Sequence, residues 1–99
     1  MRESDIEKAI CKFAREHDIR TSKRAVPNDR GFPDREFRRR GKVVYMELKA
    51  PKKRPSLLQE KRMRELREDG FAVAWFDEVD AACEWLRQQF MEDVGFFEI

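Results

Sequence analysis

The chain has little of what many small enzymes use for chemistry. It has one histidine, His17, and two cysteines, Cys11 and Cys83, in 99 residues. The cysteines show neither metal-site spacing nor a disulfide framework, and both fall at apolar positions of predicted helices, where buried free thiols are expected. No Ser-His-Asp arrangement is apparent, so nucleophilic catalysis by the protein itself is not supported. His17 reads as a solvated side chain at a helix end. There are four glycines and four prolines, and no internal repeat or low-complexity segment. No apolar run is long enough to cross a membrane. The first ten residues, MRESDIEKAI, lack the apolar stretch of a signal peptide. A reducing, cytosolic setting is the expectation, with residues 1–99 forming a single domain around one modest core.

Charge is what the chain has in excess: 42% of its residues are Asp, Glu, Lys or Arg, against about a quarter in an average globular chain. The net charge is only +2, but its distribution is uneven. Between Arg35 and Arg54 there are nine Lys/Arg and two acids, Glu36 and Glu47, whereas from Glu68 to Ile99 there are nine acids and one base, Arg87. Two readings fit this pattern: a polyanionic partner for the basic block, or two solvated faces that attract each other.

Hydrophobic periodicity predicts helix, three strands, helix, strand, helix. Ile6, Ala9, Ile10, Phe13 and Ala14 form one stripe of a helix from about Ser4 to His17, with Ser4 and Glu7 at capping-box spacing. Short strands are expected at Thr21–Val26 and Pro33–Arg38, the first ended by the turn-rich Pro27–Gly31. A hairpin turn at Arg39–Gly41 leads into the strongest strand, Lys42–Ala50. The unbroken apolar run Val43–Met46 at its centre suits an interior strand covered on both faces. A helix from Ser56 to Gly70, again opened by a capping box (Ser56 and Gln59), precedes the apolar strand Phe71–Phe76. A last helix follows Asp77, with Val79, Ala82, Cys83, Leu86 and Phe90 as its stripe. The expected fold is an α/β sandwich around a mixed sheet, in which the strands of Lys42–Ala50 and Phe71–Phe76 run parallel through a right-handed crossover.

The candidate chemistry sits at the exit of the interior strand. Alternation places Val43, Tyr45, Glu47 and Lys49 on one face and Val44, Met46 and Leu48 on the other. Glu47 and Lys49 read either as an ion pair at a strand end or as parts of a metal centre. The hairpin can bring Asp34 beside Glu47, and two carboxylates at one sheet edge repel unless a cation lies between them. Carboxylates, the backbone carbonyl of Leu48 and waters form the hard-oxygen set that Mg2+ prefers. With Lys49 beside it, such a centre suits phosphodiester hydrolysis.

Three segments, Gly31-Phe32-Pro33-Asp34, Glu47-Leu48-Lys49-Ala50-Pro51 and Ser56-Leu57-Leu58-Gln59, in this order and spacing, resemble the PD-(D/E)XK nuclease superfamily, and within it the virus-type replication-repair nuclease (VRR-NUC) family. The resemblance spans about Ile6 to Leu86. It implies a restriction-endonuclease-like αβββαβ core with an added C-terminal helix, and a Mg2+- or Mn2+-dependent DNA endonuclease of a bacterial or phage-infected cell. It further implies that Asp34 and Glu47 bind the metal, that Lys49 is the catalytic lysine, and that Glu7 and Gln59 support them, Glu7 as a further metal ligand. Each of Glu7 and Gln59 also sits where a capping box would explain it, and the functional reading is preferred for both. The segment Arg35-Glu36-Phe37-Arg38 is more charged than the family's usual strand there.

Lys23, Arg24, Arg38, Arg39, Arg40, Lys52, Lys53 and Arg54 are the candidate phosphate-binding rim around the metal. Competing readings are a nuclease-like module that binds DNA without cutting it, a restriction-type endonuclease, and a structural partner subunit. Branched DNA such as four-way junctions is the expected substrate, since stand-alone relatives of this family are dimers that resolve junctions. A homodimer is expected accordingly, with Trp85, Phe96, Phe97 and Ile99 as apolar groups for its interface.

Overall fold

The computed structural model describes residues 1–24 and 29–91. The elements run α1 (Glu3–Glu16), β1 (Arg20–Lys23), β2 (Arg35–Arg39), β3 (Lys42–Leu48), α2 (Leu57–Glu68), β4 (Ala72–Phe76) and α3 (Val79–Phe90). This is the expected order, and most boundaries fall within two residues of those expected. The distal part of the expected strand Thr21–Val26, the first two residues of the turn after it, and the tail residues Phe96, Phe97 and Ile99 lie outside the described residues.

The strands form one mixed sheet in the order β1-β2-β3-β4, antiparallel from β1 to β3 and parallel between β3 and β4. β3 is thus interior, and its continuous apolar centre is explained by cover on both faces. On one face Phe37, Val44, Met46 and Leu48 pack against Ile6, Ile10 and Ala14 of α1 and Ala82, Leu86 and Phe90 of α3. On the other, Tyr45 and Val73 pack against Met63 of α2, with Phe32, Val43, Leu66 and Trp75 around them. Alternation along β3 therefore separates two cores and decides which helix each side chain meets. The charged strand β2 is accommodated by a single fully buried side chain, Phe37, in its middle.

The first capping box differs from expectation. α1 begins two residues earlier than a Ser4 cap requires: Arg2 is the N-cap, and its backbone N–H donates to the Asp5 carboxylate at 3.0 Å. An acid three residues past the cap satisfies an otherwise orphan donor, and Asp5 takes this part in place of Glu7. The second box forms as expected: Gln59 N–H donates to Ser56 Oγ at 3.1 Å and Ser56 N–H donates to Gln59 Oε1 at 2.8 Å. The β2–β3 hairpin closes on Arg40 (φ +49°) and Gly41 (φ +83°), the two left-handed positions of a tight hairpin turn. An arginine there costs on the order of 1 kcal/mol. His17 ends α1 as expected, its Nδ1–H donating to the Phe13 carbonyl at 2.8 Å. Cys11 and Cys83 are free and half-buried, and burial pushes both thiols up. No helix among the described residues is long and apolar enough to cross a membrane.

Candidate active site

The β2–β3 ladder ends at Arg35 opposite Met46. One step further, the strands are joined through side chains. Asp34 N–H donates to Glu47 Oε2 at 3.1 Å, and Leu48 N–H donates to Asp34 Oδ2 at 3.1 Å. Asp34 thus takes over the hydrogen bonding that β2 relinquishes, and is locked beside Glu47 in doing so. The backbone N–H of Lys49 turns the other way, to the Phe76 carbonyl of β4 at 3.0 Å. N–H and C=O of one strand residue point to the same side, so the Leu48 carbonyl lies on the Asp34 side.

Glu47 is the one buried charged residue among the described residues, with 2% of its surface exposed. Its Oε1 accepts from Gln59 Nε2 at 2.7 Å and lies 3.8 Å from Lys49 Nζ. Burial first, and the neighbouring Asp34 carboxylate second, push its pKa up to about 8, with Lys49 opposing. A carboxylate held at such a cost lacks positive charge nearby, and one lysine does not supply enough of it. Among the described residues no cluster of three or more His, Cys, Asp or Glu side chains could hold a metal ion. The donor set is therefore two carboxylates and a carbonyl. That fits an ion that keeps several of its waters, as Mg2+ does, and not one that needs a full cage of protein ligands.

Gln59 serves as cap and as site residue at once. Its Oε1 accepts from Ser56, so the expected cap forms, and this leaves its Nε2 to face Glu47. Gly31 makes this approach possible. It adopts φ +83°, and a Cβ there would lie 2.9 Å from Leu58 Cγ and 3.1 Å from the Leu58 backbone. The Gly31–Asp34 segment consequently rests directly on the first turn of α2.

Glu7 does not join the group. It lies on α1, across the sheet, where Arg35 Nη1 approaches its Oε2 at 3.5 Å. Arg35 and Asp34 are adjacent, so alternation aims them at opposite faces. The charged β2 segment thus supplies the cation that neutralises Glu7 and keeps it from the carboxylate pair.

The basic residues divide into two sets. Arg24 N–H donates to the Asp34 carbonyl at 2.7 Å, so Arg24 lies at the carboxylate end of the sheet; Lys23 pairs with Arg35 there but shares its face, turned toward Glu7 and α1. Arg24 is partly engaged with Glu36 at 3.8 Å. Lys52 and Lys53 follow β3 at the same end. The Lys52 N–H is tethered to the Asp77 carboxylate at 3.0 Å, and the Arg54 guanidinium lies 5.8 Å from the centroid of Trp75. Trp75 stands opposite Glu47 in the β3–β4 register. Its role as a platform for Arg54 has no signal in the sequence, because parallel register is not written in local pattern. Arg38, Arg39 and Arg40 are not part of this rim. They occupy the far end of β2, about 13 to 20 Å from Asp34 at about 3.3 Å per residue, and Arg38 is engaged by Ser22 Oγ at 2.8 Å and Glu36 at 3.1 Å. Trp85, a candidate interface group by sequence, packs on Phe76 with ring centroids 5.8 Å apart and joins the core.

Comparison with protein-family models gives no match, and comparison with curated proteins gives none.

Proposed function

We propose that this protein is a Mg2+- or Mn2+-dependent DNA endonuclease of the PD-(D/E)XK type, similar to the VRR-NUC family. The observation that carries the reading is the join of Asp34 to Glu47 at 3.1 Å, with Lys49 Nζ 3.8 Å from Glu47. A buried carboxylate beside a partly buried one, with one lysine, is an unfavourable way to end a strand, and becomes favourable when a divalent cation is bound. Asp34, Glu47 and the Leu48 carbonyl would hold that ion. When bound, it supplies the charge that polarises a phosphate oxygen and acidifies a water.

The remaining work falls to the chain's own groups. Lys49 stands where its ammonium can orient the attacking water and neutralise charge developing on the phosphate. Gln59 fixes the rotation of the Glu47 carboxylate through one oxygen and leaves the orientation of the pair to Asp34. Lys52, Lys53, Arg54 and Arg24 hold flanking phosphates without reading bases, which suits structure-selective and not sequence-specific cutting. One centre cuts one strand, so the reading extends to a homodimer acting on branched DNA, where two centres meet two strands in a fixed relation.

A second reading has its own support. Every Glu47 oxygen already accepts a hydrogen bond from within the chain, as in a module that binds DNA and does not cut it. One experiment separates the two. The protein is incubated with flaps, forks, four-way junctions and plain duplex, with Mg2+, with Mn2+ and with excess chelator. Metal-dependent cleavage supports the nuclease, binding without cleavage under every condition supports the module, and cleavage undiminished in chelator excludes the metal mechanism.

A further inference from the structure

The basic loop after β3 opens with a strained turn. Lys53 N–H donates to the Ala50 carbonyl at 3.0 Å and closes the four residues Ala50-Pro51-Lys52-Lys53. Pro51 takes the second position, and Lys52, in the third, has φ +68°. This is the pattern of a type II turn, whose third residue is normally glycine because φ is positive there. A lysine in that conformation is strained, and such strain persists only where the surroundings hold it. The neighbouring strand supplies the hold. β3 and β4 leave the sheet side by side, with Phe76 opposite Leu48, so Asp77 emerges next to the turn. Its Oδ2 accepts the Lys52 backbone N–H at 3.0 Å. Beyond the turn, the Arg54 guanidinium lies 5.8 Å from the centroid of Trp75 on β4, and Pro55 is buried. Among the described residues the Asp77 carboxylate forms no ion pair, and its one hydrogen bond goes to this backbone N–H. By charge alone an acid is unfavourable here, because Lys52, Lys53 and Arg54 belong to the rim proposed to hold phosphates. Its backbone bond gives it another part.

We infer that Asp77 is a positioning residue for the nuclease function proposed above, on which this role rests: its carboxylate latches the turn after β3 in the left-handed form that presents Lys52, Lys53 and Arg54 to DNA. Asp77 does not touch the substrate and acts through the Lys52 backbone. Without the latch Lys52 relaxes to negative φ, the type II turn is lost, and the residues after it shift relative to Lys49. The binding form of the loop is then one of several, and affinity falls with the fraction of molecules that still adopt it. The reacting groups are held by other means. Asp34, Glu47 and Lys49 are placed by β2, β3 and Gln59, and none of these contacts passes through Asp77.

The test sets the latch against plain Coulomb attraction. Asp77→Ala and Asp77→Asn remove the same negative charge from the rim, and by charge alone both tighten DNA binding. Asn keeps an oxygen for Lys52 N–H, and Ala does not. Binding of labelled four-way junction and plain duplex is measured by fluorescence anisotropy in chelator, so that no strand is cut. Asp77→Asn is expected to bind at least as tightly as the wild type, and Asp77→Ala about fivefold more weakly. In cleavage with Mg2+ the Ala variant is expected to raise KM about fivefold with kcat unchanged, because flanking phosphates are held alike in ground and transition states. A charge-matched pair at the other end of the bond decides the matter if Asp77→Ala does not fold. Lys52→Gly and Lys52→Pro each lose one ammonium, but glycine adopts φ +68° freely and keeps its N–H, whereas proline can do neither. Lys52→Pro is expected to bind about fivefold more weakly than Lys52→Gly. Equal affinities within either pair, or a fall in kcat at unchanged KM, overturn the latch and leave the nuclease reading standing. No binding of DNA by the wild type overturns both.

Discussion

The amide of Gln59 donates to the carboxylate of Glu47 at 2.7 Å while its oxygen accepts the backbone N–H of Ser56 at 2.8 Å. The start of α2 and the exit of β3 are thereby held in one relation by a single side chain. The two roles can be separated by substitution. Ser56→Ala removes a cap bond and should cost about 1 kcal/mol of stability while leaving Glu47 oriented and cleavage close to wild type. Gln59→Ala removes both links and should lower kcat at least about tenfold beyond any loss of stability. Equal cleavage by the two variants would return Gln59 to a cap alone.

Asp34→Ala and Lys49→Ala should each abolish cutting, with losses of at least ~10²-fold, while DNA binding in chelator persists. In the proposed function the basic groups supply binding, and these two act at the scissile phosphate. A Lys49→Ala protein that cuts at the wild-type rate would show that the lysine serves only as the partner of Glu47.

Glu47 and Asp34 should differ in stability. Glu47→Ala strands two donors, Asp34 N–H and Gln59 Nε2, and each buried unpaired donor costs about 1–3 kcal/mol. Asp34→Asn keeps an oxygen for Leu48 N–H and removes the charge that repels Glu47. In chelator, thermal unfolding should show Glu47→Ala below the wild type and Asp34→Asn above it; the reverse order would mean that the pair is not strained.

The pKa of Glu47 has a definite sign for stability. It is raised in the folded protein from 4.5 to about 8, by burial and by Asp34. The folded state therefore holds a proton that the unfolded chain releases. This contribution is fully present below pH 4.5 and is lost as pH rises to about 8. Metal-free protein should lose stability over this window as measured by unfolding in chelator. Metal binding requires the ionised form, so Mg2+ should release a proton below about pH 8 and bind more weakly as pH falls. Calorimetry in buffers of different ionisation enthalpy measures that proton, and its absence would exclude Glu47 as a ligand.

Gly31→Ala should damage the site from outside it. The added methyl meets Leu58 at 2.9 Å in a backbone conformation that disfavours any side chain. The expected cost is about 1–3 kcal/mol, with a fall in cleavage as Asp34 moves relative to Gln59. Wild-type stability together with wild-type cleavage would show that the segment does not rest on α2 in solution.

What is legible in the sequence depends on the range over which each feature is set. Alternation along Lys42–Leu48 is local, and by itself it puts Glu47 and Lys49 on one face. The Ser56–Gln59 box is local as well, and so is the hairpin that returns Asp34 toward Glu47. These three patterns determined the order of the fold and the heart of the candidate site. Tertiary structure decided what depends on the pairing of distant segments. The layer opposite β2 turned Glu7 toward Arg35 and away from the carboxylates. Parallel register put Trp75 opposite Glu47 and under Arg54. The length of β2, multiplied by the rise of a strand, carried Arg39 and Arg40 away from Lys52–Arg54, although all belong to one basic block in the sequence. A run of like charges records composition, and only the path of the chain distributes it between two ends of a sheet.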